Sequence, residues 1–164
     1  MAKITRLELL DGLNLAIQLE TDLRRFYEAA IESEDIPANK ELFERILEDE
    51  NKHRKLFQKK YEDLTGNKLL YLNVNKRRRL VELLSKPTTA DKILEEAIEN
   101  EKRSVEFYEN ASSLVPPGWL RQVFADLAEE ERKHLALLES EYKGAEDLEV
   151  PDNGRPKKSE DHAA

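Results

Sequence analysis

The chain is built from two copies of one pattern. A shift of 81 residues lays Leu13 on Leu94, Ala16 on Ala97, Ile17 on Ile98 and Glu20 on Glu101. The same shift lays Phe26-Tyr27-Glu28 on Phe107-Tyr108-Glu109, Phe43 on Phe124, and Glu50, Lys52 and His53 on Glu131, Lys133 and His134. Self-similarity at a fixed period means one supersecondary unit used twice, each copy hiding its apolar face against the other. What that unit is follows from the spacing of its apolar residues. Leu13, Ala16, Ile17, Leu23, Tyr27, Ala30 and Ile31 recur at helical intervals, and so do Leu42, Phe43, Ile46, Leu47, Phe57, Tyr61 and Leu64. The unit is therefore a helical hairpin.

The breaks between helices are equally legible. The first helix starts near Thr5, with Thr5 and Glu8 as a capping box, and becomes firm near Gly12. Ser33 to Pro37 is a polar break, and Gly66 ends the second helix. Residues 67–88 read as a long crossover with one short helix. Pro87 and Thr88 open the third helix, with Thr88 and Asp91 as its cap, and Ile93, Leu94, Ala97, Ile98, Val105, Tyr108 and Ala111 form its stripe. Pro116-Pro117-Gly118 is a turn, and the fourth helix carries Leu120, Val123, Phe124, Leu127, Leu135, Leu138 and Tyr142 before Gly144 closes it. No stretch alternates as a strand would. The expected fold is all-α: a four-helix bundle of two repeated hairpins over residues 1–143, followed by a polar tail over 144–164.

Six ionisable side chains interrupt the apolar stripes. Glu20 lies on the face of Leu13, Ile17 and Tyr27, and Glu101 on that of Leu94, Ile98 and Tyr108. Glu50 and His53 share the face of Phe43, Ile46 and Phe57, and Glu131 and His134 that of Phe124, Leu127 and Leu138. The i, i+3 spacing within each Glu-x-x-His puts both side chains on one side of a helix. Antiparallel pairing about each turn brings the lone Glu level with the Glu-x-x-His of its own hairpin, because both helices rise ~1.5 Å per residue.

Four carboxylates in a dry bundle need compensation, since desolvation costs several kcal/mol per ion. Two divalent cations would cancel the four charges, and two neutral imidazoles would complete the shells. Oxygen and imidazole donors together suit iron or manganese, whereas zinc usually prefers four ligands. One Glu from each of two helices plus Glu-x-x-His from each of the other two is the known template for di-iron and di-manganese bundles. The bland alternative, surface Glu and His scattered over a bundle, does not account for two matched sets on apolar faces. The candidate ligands are Glu20, Glu50, His53, Glu101, Glu131 and His134.

Composition removes other possibilities. There are no cysteines among the 164 residues, so disulfides, thiolate metal sites and thiol nucleophiles are excluded. The net charge of −8 makes general nucleic-acid binding unfavourable. No apolar run is long enough to span a membrane, and residues 1–5 lack a hydrophobic leader, so the expected location is the cytoplasm. Tyr27 and Tyr108, two turns past the lone glutamates, either donate hydrogen bonds near the site or only pack. Lys76 to Arg79 reads as a solvated loop, His162 as part of the tail, and Trp119 as a packing residue. Lys55, Lys59 and Lys60 suit the negative end of the second helix.

Ala16-Ile-Gln-Leu-Glu20, Phe26-Tyr27, Glu50-Asn-Lys-His53, Ala97-Ile-Glu-Asn-Glu101, Phe107-Tyr108 and Glu131-Arg-Lys-His134 together resemble the ferritin-like superfamily, and within it the rubrerythrin-like di-iron proteins. The resemblance covers about residues 6–143 and fills all six ligand positions. It implies that Glu50 and Glu131 bridge two irons while Glu20, His53, Glu101 and His134 are terminal. It also implies a non-haem di-iron oxidoreductase that reduces O2 or H2O2, of peroxidase or ferroxidase type, in oxidative stress, and a homodimer. Two departures bear on this. Rubrerythrins proper carry a Cys-bound rubredoxin iron, absent here, so electrons would come from a separate donor protein or from Fe(II) itself. They also tend to place a second Glu three residues after the third-helix ligand, where this chain has Ser104. The rival expectations are iron storage of bacterioferritin type, a di-iron substrate hydroxylase, and a helical interaction module with a vestigial site.

Overall fold

The computed structural model describes residues 6–35, 39–67 and 89–148, with side chains described from residue 9 to residue 144 within those stretches. Four helices make up the described residues: α1 (Arg6–Glu32), α2 (Lys40–Thr65), α3 (Ala90–Leu114) and α4 (Trp119–Leu148). Each packs most extensively on its hairpin partner, α1 on α2 and α3 on α4. Between the hairpins α1 touches α3 and α2 touches α4. The expected two-hairpin, all-α bundle is what forms.

The residues that share a core fix the helix directions. Phe26, Tyr27 and Ala30 near the end of α1 pack with Leu42, Phe43 and Ile46 early in α2, Ile93, Leu94, Ala97 and Ile98 early in α3, and Leu138 late in α4. At the other end Leu13, Ala16 and Ile17 of α1 meet Phe57 of α2, Tyr108 of α3 and Phe124, Leu127 and Ala128 of α4. All helices in contact are therefore antiparallel, and α2 and α3 run the same way. A chain leaving α2 at Gly66 must return the length of a helix, roughly 40 Å for 26 residues, before α3 begins. The crossover that the sequence implies answers that need. The short helix expected within it, and Lys76 to Arg79, lie outside the described residues, as do the Thr5–Glu8 cap and His162.

Local chemistry sets the ends. Asn39 caps α2, its side chain accepting from the Leu42 N–H at 3.2 Å. Its Nδ2 donates to Glu141 at 3.1 Å and so ties the start of α2 to the end of α4. Gly66 closes α2 with φ +73°, a left-handed conformation that costs other residues about 1–2 kcal/mol. Its N–H donates to the Glu62 carbonyl at 2.7 Å. The cap of α3 is Thr89 rather than Thr88. Thr89 has the extended backbone a cap requires, and its hydroxyl faces the Lys92 N–H.

Three other expectations are corrected. Gly144 does not end the last helix, which runs on to Leu148. Glycine inside a helix costs only about 1 kcal/mol, and the helix formers Ala145 and Glu146 follow it. On α3 the buried position between Glu101 and Tyr108 is Ser104; Val105 is only half-buried, because Ser104 completes the i, i+3, i+7 row. Trp119 is 46% exposed instead of packed inside, and the Lys60 ammonium lies 4.2 Å from its ring centre. Lys60 thus has a cation–π partner that dipole reasoning did not supply. Among the described residues, no helix is long and apolar enough to cross a membrane.

Candidate metal centre

The two apolar clusters do not meet as one core. Between them lies a polar layer in which Glu20, Glu50, Glu101 and Glu131 are fully buried and His53 and His134 nearly so. All six sequence-derived residues converge there, one or two from each helix. Two overlapping quartets result. Glu20, Glu50, His53 and Glu131 bring one donor atom each within 4.8 Å of one another, and so do Glu50, Glu101, Glu131 and His134. Glu50 and Glu131 belong to both.

The histidines face inward through Nδ1. His53 Nδ1 lies 3.2 Å from Glu131 and 3.8 Å from both Glu20 and Glu50. His134 Nδ1 lies 3.4 Å from Glu131, 3.5 Å from Glu50 and 3.7 Å from Glu101. The rings run nearly parallel, with centres 6.4 Å apart. Their outward nitrogens are held across the bundle. His53 Nε2 donates to Glu130 at 2.8 Å, and His134 Nε2 lies 3.4 Å from Asp49. A carboxylate can only accept, so it fixes Nε2–H as the donor and leaves Nδ1 of the neutral ring with its lone pair aimed at the centre.

Glu20 and Glu101 are held by tyrosines from the opposite hairpin. The Tyr108 hydroxyl donates to Glu20 Oε1, and the Tyr27 hydroxyl donates to Glu101 Oε1. Both tyrosines are fully buried, so the hydrogen-bonding alternative left open by sequence is the one realised, in both halves. The tyrosines also pack: Tyr108 stacks with Phe57 and Phe124, and Tyr27 meets Phe43 edge-on.

Eight buried atoms in this layer nonetheless have no hydrogen-bond partner: one oxygen each of Glu20 and Glu101, both oxygens of Glu50 and Glu131, and Nδ1 of both histidines. Buried polar groups are normally satisfied. Here the orphans all face one volume, which is what a donor set for cations requires. Four carboxylates and two imidazoles are a donor set compatible with a pair of divalent ions.

The same electrostatics set the protonation of the metal-free layer. Burial holds Glu20 and Glu101 well above the usual carboxylate range; Glu50 and Glu131 add to this for both, while Tyr108 opposes it at Glu20 and His134 at Glu101. Burial opposes a charge on Glu131 too, but the two imidazoles overcome it and hold its pKa at about 2. Burial also opposes the imidazolium of His53, yet Glu131 and Glu50 raise its pKa to about 10; His134 is raised as well, against burial, by Glu101, Glu131 and Glu50. Tyr27 and Tyr108 are pushed up by burial and by the glutamates they touch, and so remain donors. Protons thus balance the charge that cations would otherwise balance.

Sequence reasoning missed Glu130 and Asp49. The signal was in the repeat, since Asp49 and Glu130 are themselves 81 residues apart and each precedes a Glu-x-x-His.

Fold and centre define a class: a four-helix bundle of duplicated hairpins around a buried carboxylate–histidine cluster compatible with a metal pair. The rubrerythrin family profile matches residues 11–142, and the chain belongs to that family. Among solved structures, a hypothetical protein from Pyrococcus furiosus is similar to it, with a TM-score of 0.66 and 24% identity over 87% of this chain and 93% of that one, a likeness of fold. No curated protein is significantly similar in sequence.

Proposed function

We propose that the chain is a non-haem di-iron oxidoreductase that reduces O2 or H2O2, with Glu50 and Glu131 shared between the metals and Glu20, His53, Glu101 and His134 each serving one. The observation that carries the reading is the convergence of eight partnerless donor atoms on one buried volume. Membership of the rubrerythrin family supports iron in particular. Two adjacent Fe(II) ions supply two electrons together, which is what the reduction of one peroxide to two waters requires.

The protein's part is geometric and electrostatic. Tyr27 and Tyr108 orient Glu101 and Glu20 and hold their own protons there. Glu130 sets the ring orientation of His53 at 2.8 Å, and Asp49 holds His134 more loosely at 3.4 Å. The two apolar clusters keep bulk water from the ends of the layer. Ser104, also fully buried, offers no carboxylate: its hydroxyl donates to the Asn100 carbonyl at 3.2 Å. With no second Glu at that position, ferroxidase-type turnover is favoured over efficient peroxidase turnover. Electrons come from Fe(II) or a separate donor protein.

The test is anaerobic Fe(II) loading, then separate titration with O2 and with H2O2. Two irons per chain, oxidised together, are expected. Binding of fewer than two, or two irons inert to both oxidants, overturns the proposal. A shell-sized oligomer by light scattering would move the reading to iron storage.

A further inference from the structure

The repeat makes the two halves of the centre formally equivalent, but their outer supports are not. His53 and His134 correspond under the 81-residue shift, and so do their carboxylate partners Glu130 and Asp49. Glutamate reaches one methylene further than aspartate, and the consequence is visible. His53 Nε2 to Glu130 is 2.8 Å, the length of a charge-assisted hydrogen bond. His134 Nε2 to Asp49 is 3.4 Å, beyond the usual range for N–H···O. A second difference acts in the same direction. The Asp49 carboxylate also accepts from the Lys52 ammonium at 2.9 Å, so its charge is divided. The corresponding pair, Lys133 and Glu130, forms no ion pair among the described residues.

An outer carboxylate fixes the ring of a metal-binding histidine and makes its free nitrogen a better donor; loss of such a partner typically costs 10–100-fold in affinity. We propose that the two metal positions are inequivalent and fill in order, the Glu20–His53 position before the Glu101–His134 position, with Glu130 as the positioning residue that sets the order. The inference rests on the metal-pair reading given above. It adds that a duplicated site has been made directional by a single methylene and by an ion pair, Lys52 to Asp49, formed in one half and not, among the described residues, in the other.

Zn(II) is a suitable probe because it is redox-silent and diamagnetic. The chain has three histidines, so ring proton signals in an NMR titration are assignable with His53→Gln and His134→Gln. The His53 signal is expected to move during the first equivalent and the His134 signal during the second. Glu130→Asp draws the carboxylate back by one methylene on a side chain that is 51% exposed, so the fold is retained. In that variant the first binding constant is expected to weaken roughly tenfold and the two steps to merge. Two zincs bound with both signals moving together, or His134 moving first, overturns the order while leaving the metal pair intact. An unchanged first constant in Glu130→Asp overturns the role of Glu130. Fewer than two zincs in the parent chain overturns the underlying reading, and the inference with it.

Discussion

Replacing Tyr108 by Phe removes one oxygen atom from the centre and little else. The ring keeps its place, stacked on Phe57 and Phe124 with centres 6.0 Å from each, so no large cavity opens. What is lost is the hydroxyl that donates to Glu20. Glu20 is fully buried and its other oxygen already has no hydrogen-bond partner, so the substitution strips the carboxyl of its remaining hydrogen bond. The magnitude depends on the state of Glu20. In the metal-free protein burial keeps this group protonated well above its usual range, so a neutral hydrogen bond worth about 0.5–1.5 kcal/mol is lost. With metal bound the group is a carboxylate, and the lost bond is charge-assisted and worth about 1.5–3 kcal/mol. The penalty is thus larger by about 1–1.5 kcal/mol in the loaded protein, which closes a thermodynamic cycle at a roughly tenfold loss of metal affinity. Chelator competition with Zn(II) measures the affinity, and thermal unfolding of the metal-free chain is expected to shift down by about 2–4 °C. Unchanged metal affinity beside a lowered Tm would refute the coupling and leave Tyr108 a packing residue.

The remaining predictions concern the shared carboxylates and protons. Glu131→Ala removes a residue common to both quartets and is expected to abolish binding of the pair; retention of two irons by elemental analysis would refute its bridging role. The metal-free chain is expected to lose stability as pH rises. His53 titrates at about 10 when folded against 6.5 when unfolded, so its contribution is complete below about 6.5 and gone above about 10. The raised Glu20 and Glu101 act in the same direction, while Glu131, held at about 2, contributes above its usual range and loses that contribution only in strong acid. Because cations must displace these protons, metal uptake near neutral pH is expected to release protons, visible as a dependence of the calorimetric binding heat on the buffer's ionisation enthalpy. A stability profile flat between pH 6 and 10, or binding without proton release, would contradict the charge balance drawn here.

The sequence by itself determined the hairpin, its duplication and the six side chains of the centre. It could do so because helical periodicity and a fixed repeat are local, countable properties, and because Glu and His on an apolar stripe conflict with burial at every level. Some boundaries were less legible. Thr88 and Thr89 offer the same capping chemistry one residue apart in sequence, and it is the extended backbone of Thr89 and its contact with the Lys92 N–H that mark it as the cap. Gly144 carries a stop signal that four further helical residues override.

What only tertiary structure decided are contacts between hairpins. Tyr27 reaches Glu101, Tyr108 reaches Glu20, His53 reaches Glu130 and His134 reaches Asp49, each across 74 to 88 positions of chain. No period within one helix encodes those pairings, because they depend on how two finished hairpins are rotated and set at a height against each other. The difference between 2.8 and 3.4 Å at the two histidines arises there too, from the reach of two side chains across a gap that packing alone defines.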